Sequence, residues 1–127
     1  MTGTQARHTA ARFLAEHCPW ADKDAVLLVV SELVANAARH TGALARLRLR
    51  ADPVGLAVSV EDDDPKLPEP RAPDLDGGGG FGWHVVERLA ERLAVRPAPG
   101  GKCIEAAWAA PPALTHAVPD QQLSTGD

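Results

Sequence analysis

Apolar residues recur at helical spacing between Thr4 and His17, at Ala6, Ala10, Phe13 and Leu14, and Cys18-Pro19-Trp20 closes the run, predicting a first amphipathic helix. A second, longer helix follows. Asp22 or Asp24 can cap it, Leu27, Leu28, Val30, Leu33, Val34 and Ala37 form its apolar stripe, and Thr41-Gly42 supplies the C-terminal exit. From Leu44 to Arg50 and from Leu56 to Glu61 the period shortens to two. The intervening Ala51-Asp52-Pro53-Val54-Gly55 has turn chemistry, so an antiparallel hairpin is expected. Residues 62–82 then lose all periodicity: Asp62-Asp63-Asp64-Pro65 is followed by further prolines and by Gly77-Gly78-Gly79-Gly80. A stretch this long in a small domain is functional or disordered rather than a passive connection. Trp83, Val85, Val86, Leu89 and Leu93 mark a third helix, and Leu93 to Arg96 opens a strand that Pro97–Gly101 turns back into Cys103–Trp108.

Three helices and four strands in the order helix, helix, hairpin, long loop, helix, hairpin predict an α+β fold, a two-layer sandwich with the helices on one sheet face. The 127 residues make one domain by length, assigned to 1–110. Residues 111–127 are rich in Pro, Gln, Ser and Thr and are expected to form a disordered tail.

A net charge of −4 and a pI near 5.7 weigh against a general nucleic-acid binder. The arginines that do cluster, Arg46, Arg48 and Arg50, alternate with Leu47 and Leu49 and read as the solvated face of a strand. No segment approaches the roughly 20 apolar residues of a membrane span, and no basic start precedes an apolar stretch at the N-terminus, so a cytoplasmic location is expected. Cys18 and Cys103 stand far apart and share no ligand spacing with the five histidines, which argues against structural zinc or a redox pair.

Glu32 and Asn36 lie four residues apart inside the second helix and therefore on one face, beside the apolar stripe. A carboxamide oxygen suits magnesium, a hard cation that usually takes few protein ligands and completes its shell with substrate phosphates. A carboxylate one turn away can accept a proton from an attacking hydroxyl or water. The bland alternative is a pair that caps or solvates the helix edge. The glycine run ending in Gly80-Phe81-Gly82 directly precedes the third helix, where unpaired N–H groups favour an anion; a flexible linker is the alternative. It has no P-loop ending, and the antiparallel hairpins do not suit a Rossmann unit. Asp62, at the end of Val58-Ser59-Val60, can accept a hydrogen bond from an exocyclic amino group, or simply begin a turn.

Taken together, Glu-Leu-x-x-Asn-Ala-x-x-His at 32–40, the strand-terminal Asp62, Gly-x-Gly at 80–82 and Gly-Lys at 101–102 resemble the GHKL ATP-binding superfamily. The string Ser-Glu-Leu-Val-x-Asn-Ala-x-Arg-His-Thr-Gly is most similar to the small anti-sigma-factor serine kinases and their actinobacterial relatives, and the correspondence covers about residues 5 to 109. The resemblance implies a Bergerat-type sandwich on a mixed, largely antiparallel sheet, with ATP and Mg2+ between the helices and a long lid. It implies Asn36 as the magnesium ligand, Glu32 as general base, Asp62 as reader of the adenine amino group and Gly80 and Gly82 as phosphate holders. Arg39, His40, Trp83, Lys102 and Cys103 complete the implied nucleotide-binding set. The implied partners are a sigma factor, an anti-sigma antagonist phosphorylated on serine, or both, with no nucleic acid and no membrane. A non-catalytic nucleotide-sensing or partner-binding module is the alternative. Three departures stand out: Asp62-Asp63-Asp64 where the family has Asp-x-Gly, Gly80-Phe81-Gly82-Trp83 where it has Gly-Arg-Gly-Leu, and Cys103 where Thr is common. The family's N-terminal strand is also barely present, which weighs against the kinases' usual homodimer contact.

Overall fold

The computed structural model describes residues 2–41, 46–64 and 81–112. Its elements are α1 (Gly3–His17), α2 (Lys23–Thr41), β1 (Arg46–Asp52), β2 (Gly55–Asp62), α3 (Phe81–Leu89), β3 (Arg92–Ala98) and β4 (Gly101–Ala109). The expected lid and tail fall largely on residues 65–80 and 113–127, outside the described residues.

Each helix begins where local chemistry satisfies its first N–H groups. Thr2 and Gln5 form a capping box, with Gln5 N–H donating to Thr2 Oγ1 and Thr2 N–H donating to Gln5 Oε1. At α2 the Asp22 carboxylate accepts from the Ala25 N–H, which decides between the two candidate caps. The buried residues of α2 are Val26, Val29, Val30, Leu33, Val34, Asn36 and Ala37. Leu28, expected in the stripe, is exposed, because it sits two positions from Val26 and Val30 and therefore points away from both. Leu93 belongs to β3 and not to the third helix, which ends at Leu89; its side chain instead alternates with exposed Arg92 and Ala94.

The sheet has the order β1-β2-β4-β3, and every described pair is antiparallel. The two hairpins thus lie side by side with their second strands at the centre. Edge strand β3 tolerates Pro97, which would remove a ladder hydrogen bond in a central strand. Arginines along β1 and β3 discourage pairing with further strands.

Among the described residues, helices cover one face of the sheet. Leu56, Val58 and Val60 of β2 and Ile104, Ala106 and Trp108 of β4 point to that inner face and form one cluster with Ala6, Ala10 and Leu14 of α1, the α2 stripe and Val86 of α3. Trp108 Nε1 donates to the Leu89 carbonyl at 2.9 Å, pinning the end of α3 to β4. Buried Cys18 completes the packing at the end of α1, and burial pushes its thiol pKa up, so it behaves as a small apolar side chain. No described helix is long and apolar enough to cross a membrane.

Leu33 lies at the centre of this layer. Leu33→Ala is expected to cost about 2–5 kcal/mol, the usual range for a buried leucine truncation. Urea unfolding should show it as a lower midpoint with an unchanged slope.

Candidate nucleotide and metal site

Three polar side chains are buried among the described residues: Asn36, Asp62 and Lys102. Two of the three satisfy each other, and one does not.

Asp62 ends β2 and Lys102 stands directly opposite it near the start of β4, both on the helix-covered face. They are 2% and 0% exposed. Lys102 Nζ lies 3.0 Å from Asp62 Oδ2 and 3.2 Å from Oδ1, and it donates to the Asp64 carbonyl at 3.0 Å. The Asp64 N–H in turn donates to Asp62 Oδ1 at 2.9 Å. The ammonium thus hydrogen-bonds to Asp62 Oδ1 and to the Asp64 carbonyl, with Oδ2 completing the ion pair. Among the described residues Asp62 Oδ2 is approached only by Lys102, so that oxygen keeps acceptor capacity. Gly101 makes this closure possible, since a side chain there would overlap the Asp62 carbonyl. Lys102 is thus the partner of Asp62, a role the strand alternation Lys102, Ile104, Ala106, Trp108 signals by placing Lys102 on the inner face.

Asn36 is 8% exposed, and its Oδ1 has no hydrogen-bond partner among the described residues. An unsatisfied buried acceptor costs about 1–3 kcal/mol, so native structures normally give it a partner. A carboxamide oxygen is a hard donor, and a magnesium ion is a partner that suits it. The residue present therefore fits the ion the sequence implied.

Glu32 lies one turn before Asn36 and is half-buried. Its carboxylate rests against Gly82 in the first turn of α3, so closely that a Cβ at Gly82 would overlap Glu32 Oε1. The first turn of a helix presents unpaired N–H groups and positive potential, which favour a negative charge. In this structure Glu32 stands where the sequence placed phosphate, and Gly82 is small because a carboxylate approaches it.

The remaining expected site residues divide. Trp83 is half-buried and packs against the core cluster. Cys103 turns to the opposite face of the sheet, near Arg96, because it follows inward-pointing Lys102 in a strand. The Cys103 side chain, expected in the nucleotide set, thus lies on the face opposite Lys102 and Asp62. Arg39 and His40 lie on the last turn of α2, with side chains outside the described part, and Gly80 lies outside the described residues.

A profile of the histidine kinase-like ATPase domain matches residues 2–108. The chain belongs to the histidine kinase-like ATPase domain family, the GHKL class, and its helices and antiparallel sheet form the corresponding α+β layers. Among solved structures it is similar to the histidine kinase domain of the E. coli osmosensor EnvZ, with 20% identity and a TM-score of 0.47 over 70% of this chain and 66% of that one. A comparison with curated proteins finds no match.

Breaking a buried ion pair strands a charge, so Lys102→Met should destabilise the fold by about 3–5 kcal/mol. Asp62→Asn combined with Lys102→Met should cost less than the sum of the single changes, a coupling that a double-mutant cycle in urea measures. Gly82→Ala should cost about 1–3 kcal/mol through overpacking. Adding Glu32→Ala to that variant should recover most of the loss in the same unfolding experiment.

Proposed function

We propose that this protein is an ATP- and magnesium-binding regulatory protein of the anti-sigma-factor type, which phosphorylates a serine on an antagonist protein, sequesters a sigma factor, or does both from the cytoplasm. The observation that carries the reading is the unpartnered, buried Oδ1 of Asn36 one turn from Glu32, in a chain of the histidine kinase-like ATPase family.

In this reading Asn36 would hold magnesium through Oδ1, and the ion would supply neutralisation of phosphate charge. Asp62 offers its remaining acceptor site to the adenine amino group, while Lys102 keeps the carboxylate oriented. Glu32 accepts the proton of the serine hydroxyl as that oxygen bonds to the γ-phosphorus and ADP departs with the electrons of the broken P–O bond.

A second reading, a non-catalytic nucleotide-sensing or partner-binding module, draws on two contacts. Glu32 already rests on Gly82, and Lys102 already occupies most of Asp62.

Calorimetric titration with ATP, with and without magnesium, tests the reading. Saturable magnesium-dependent binding is expected, with Asn36→Ala removing the magnesium dependence. Asp62→Asn should weaken affinity about ten- to a hundredfold, the equivalent of one hydrogen bond to a charged acceptor. No saturation at millimolar nucleotide by the folded chain would reject ATP binding. Phosphoserine on a copurifying partner, absent with Glu32→Ala, would separate the kinase from the non-catalytic module.

A further inference from the structure

The face of the sheet turned away from the helices carries a pattern that the nucleotide reading does not use. The strand register sets its side chains in three cross-strand rows: Arg50, Ala57, Ala107, Arg92; then Arg48, Ser59, Glu105, Ala94; then Arg46, Glu61, Cys103, Arg96. Arginines therefore stand on both edge strands, with mostly small residues between them. Three strand spacings of about 4.8 Å put the edges roughly 14 Å apart. An α-helix with its side chains is about 10–12 Å across.

The face is concave where the first row crosses it. A cavity of about 550 Å³ opens there, bounded by Arg50, Arg92 and Arg96 and floored by Ala57 and Ala107. Those two alanines point away from the helices and yet are 9% and 8% exposed, lying low beneath the flanking arginines.

Its charge is one-sided. Among the described residues, five arginines face four carboxylates, those of Asp52, Glu61, Asp63 and Glu105, in a chain whose net charge is −4. Glu61 takes Arg46 at 3.0 Å, and Glu105 takes Arg96 at 2.9 Å and Arg50 at 3.0 Å. The hydrogen bond from Arg96 leads in holding the Glu105 carboxyl below its usual range, burial opposes it and Arg50 adds to it, so Glu105 stays ionised as a strut between the edges. Arg48 and Arg92 have no acidic partner among the described residues. They stand on opposite edges and remain available to carboxylates from outside.

We propose that this trough docks an acidic α-helix of a partner protein, with carboxylates on the helix's two flanks meeting Arg48 on one edge and Arg92 on the other, while Glu105 holds Arg50 and Arg96. The alanine floor lets the helix approach closely, and arginine is the cation favoured at protein interfaces because it binds carboxylates in a bidentate fork. Nucleic acid fits less well, since carboxylates sit inside the patch and the chain as a whole is acidic. The inference is independent of nucleotide binding, which lies on the opposite face.

Fluorescence anisotropy of the full chain with a labelled alanine–glutamate peptide of about 20 residues, long enough to be helical alone, tests it at low salt. Saturable binding is expected. Arg48→Glu with Arg92→Glu should weaken it at least about tenfold, because like charges then face each other. Ala57→Phe should weaken it without changing any charge by filling the floor, and ATP titration of all variants should match the parent. Absence of saturation by the folded chain, equal affinity in the charge-reversed variant, or unchanged affinity with Ala57→Phe would overturn the proposal. Tighter binding of duplex DNA or of phosphatidylserine vesicles than of the peptide would overturn it as well.

Discussion

The described helices form a single layer on one face of the sheet, and among the described residues this one-sidedness governs the rest of the structure. Side chains alternate along each strand, and burial on one side alone sorts them strictly into an inner and an outer set. The inner set of β2 and β4 is Val, Leu, Ile, Ala and Trp until the last position of β2. There the alternation carries Asp62 and Lys102 into the same buried layer, side by side on the central strands.

A buried charge is tolerated only with a partner of opposite sign and with its remaining hydrogen-bonding groups satisfied. Lys102 meets this demand through Asp62 and the Asp64 carbonyl, tying the start of the segment that follows β2 onto β4. Asn36 does not meet it: its Oδ1 is buried and unpaired while every neighbouring stripe position is apolar. The contrast sets the two apart. Asp62 and Lys102 satisfy each other, whereas Asn36 Oδ1 has no partner among the described residues. Glu32 is intermediate, resting against the first turn of α3 through the absence of a side chain at Gly82.

The same alternation that buries Asp62 exposes Glu61, and the same step that buries Lys102 turns Cys103 outward. The two central strands therefore serve both faces at once. On the outer face, arginines of the edge strands close over small side chains and share Glu105 between them. That arrangement also protects the sheet edges, since charged edge strands resist pairing with other chains.

Periodicity in the sequence determined the type and order of the elements, because apolar residues at 3.6 and 2.0 spacings leave no other way to cover one face of each element. It also determined that Glu32 and Asn36 share a helix face, a consequence of four-residue spacing alone, whereas the capping box that starts α1 at Gly3 emerged from the structure. The separation of Lys102 from Cys103 was equally legible in alternation, although family resemblance had placed them together. Spacing within α2 likewise turns Leu28 away from buried Val26 and Val30 and into solvent. Tertiary structure alone brought Lys102 to Asp62 across 40 residues, seated Glu32 on Gly82 across 50, and spread the arginines of β1 and β3 over one trough. Spacing reports which residues of one element face the same way; what stands opposite them depends on strand order and register, which arise only when separate elements meet.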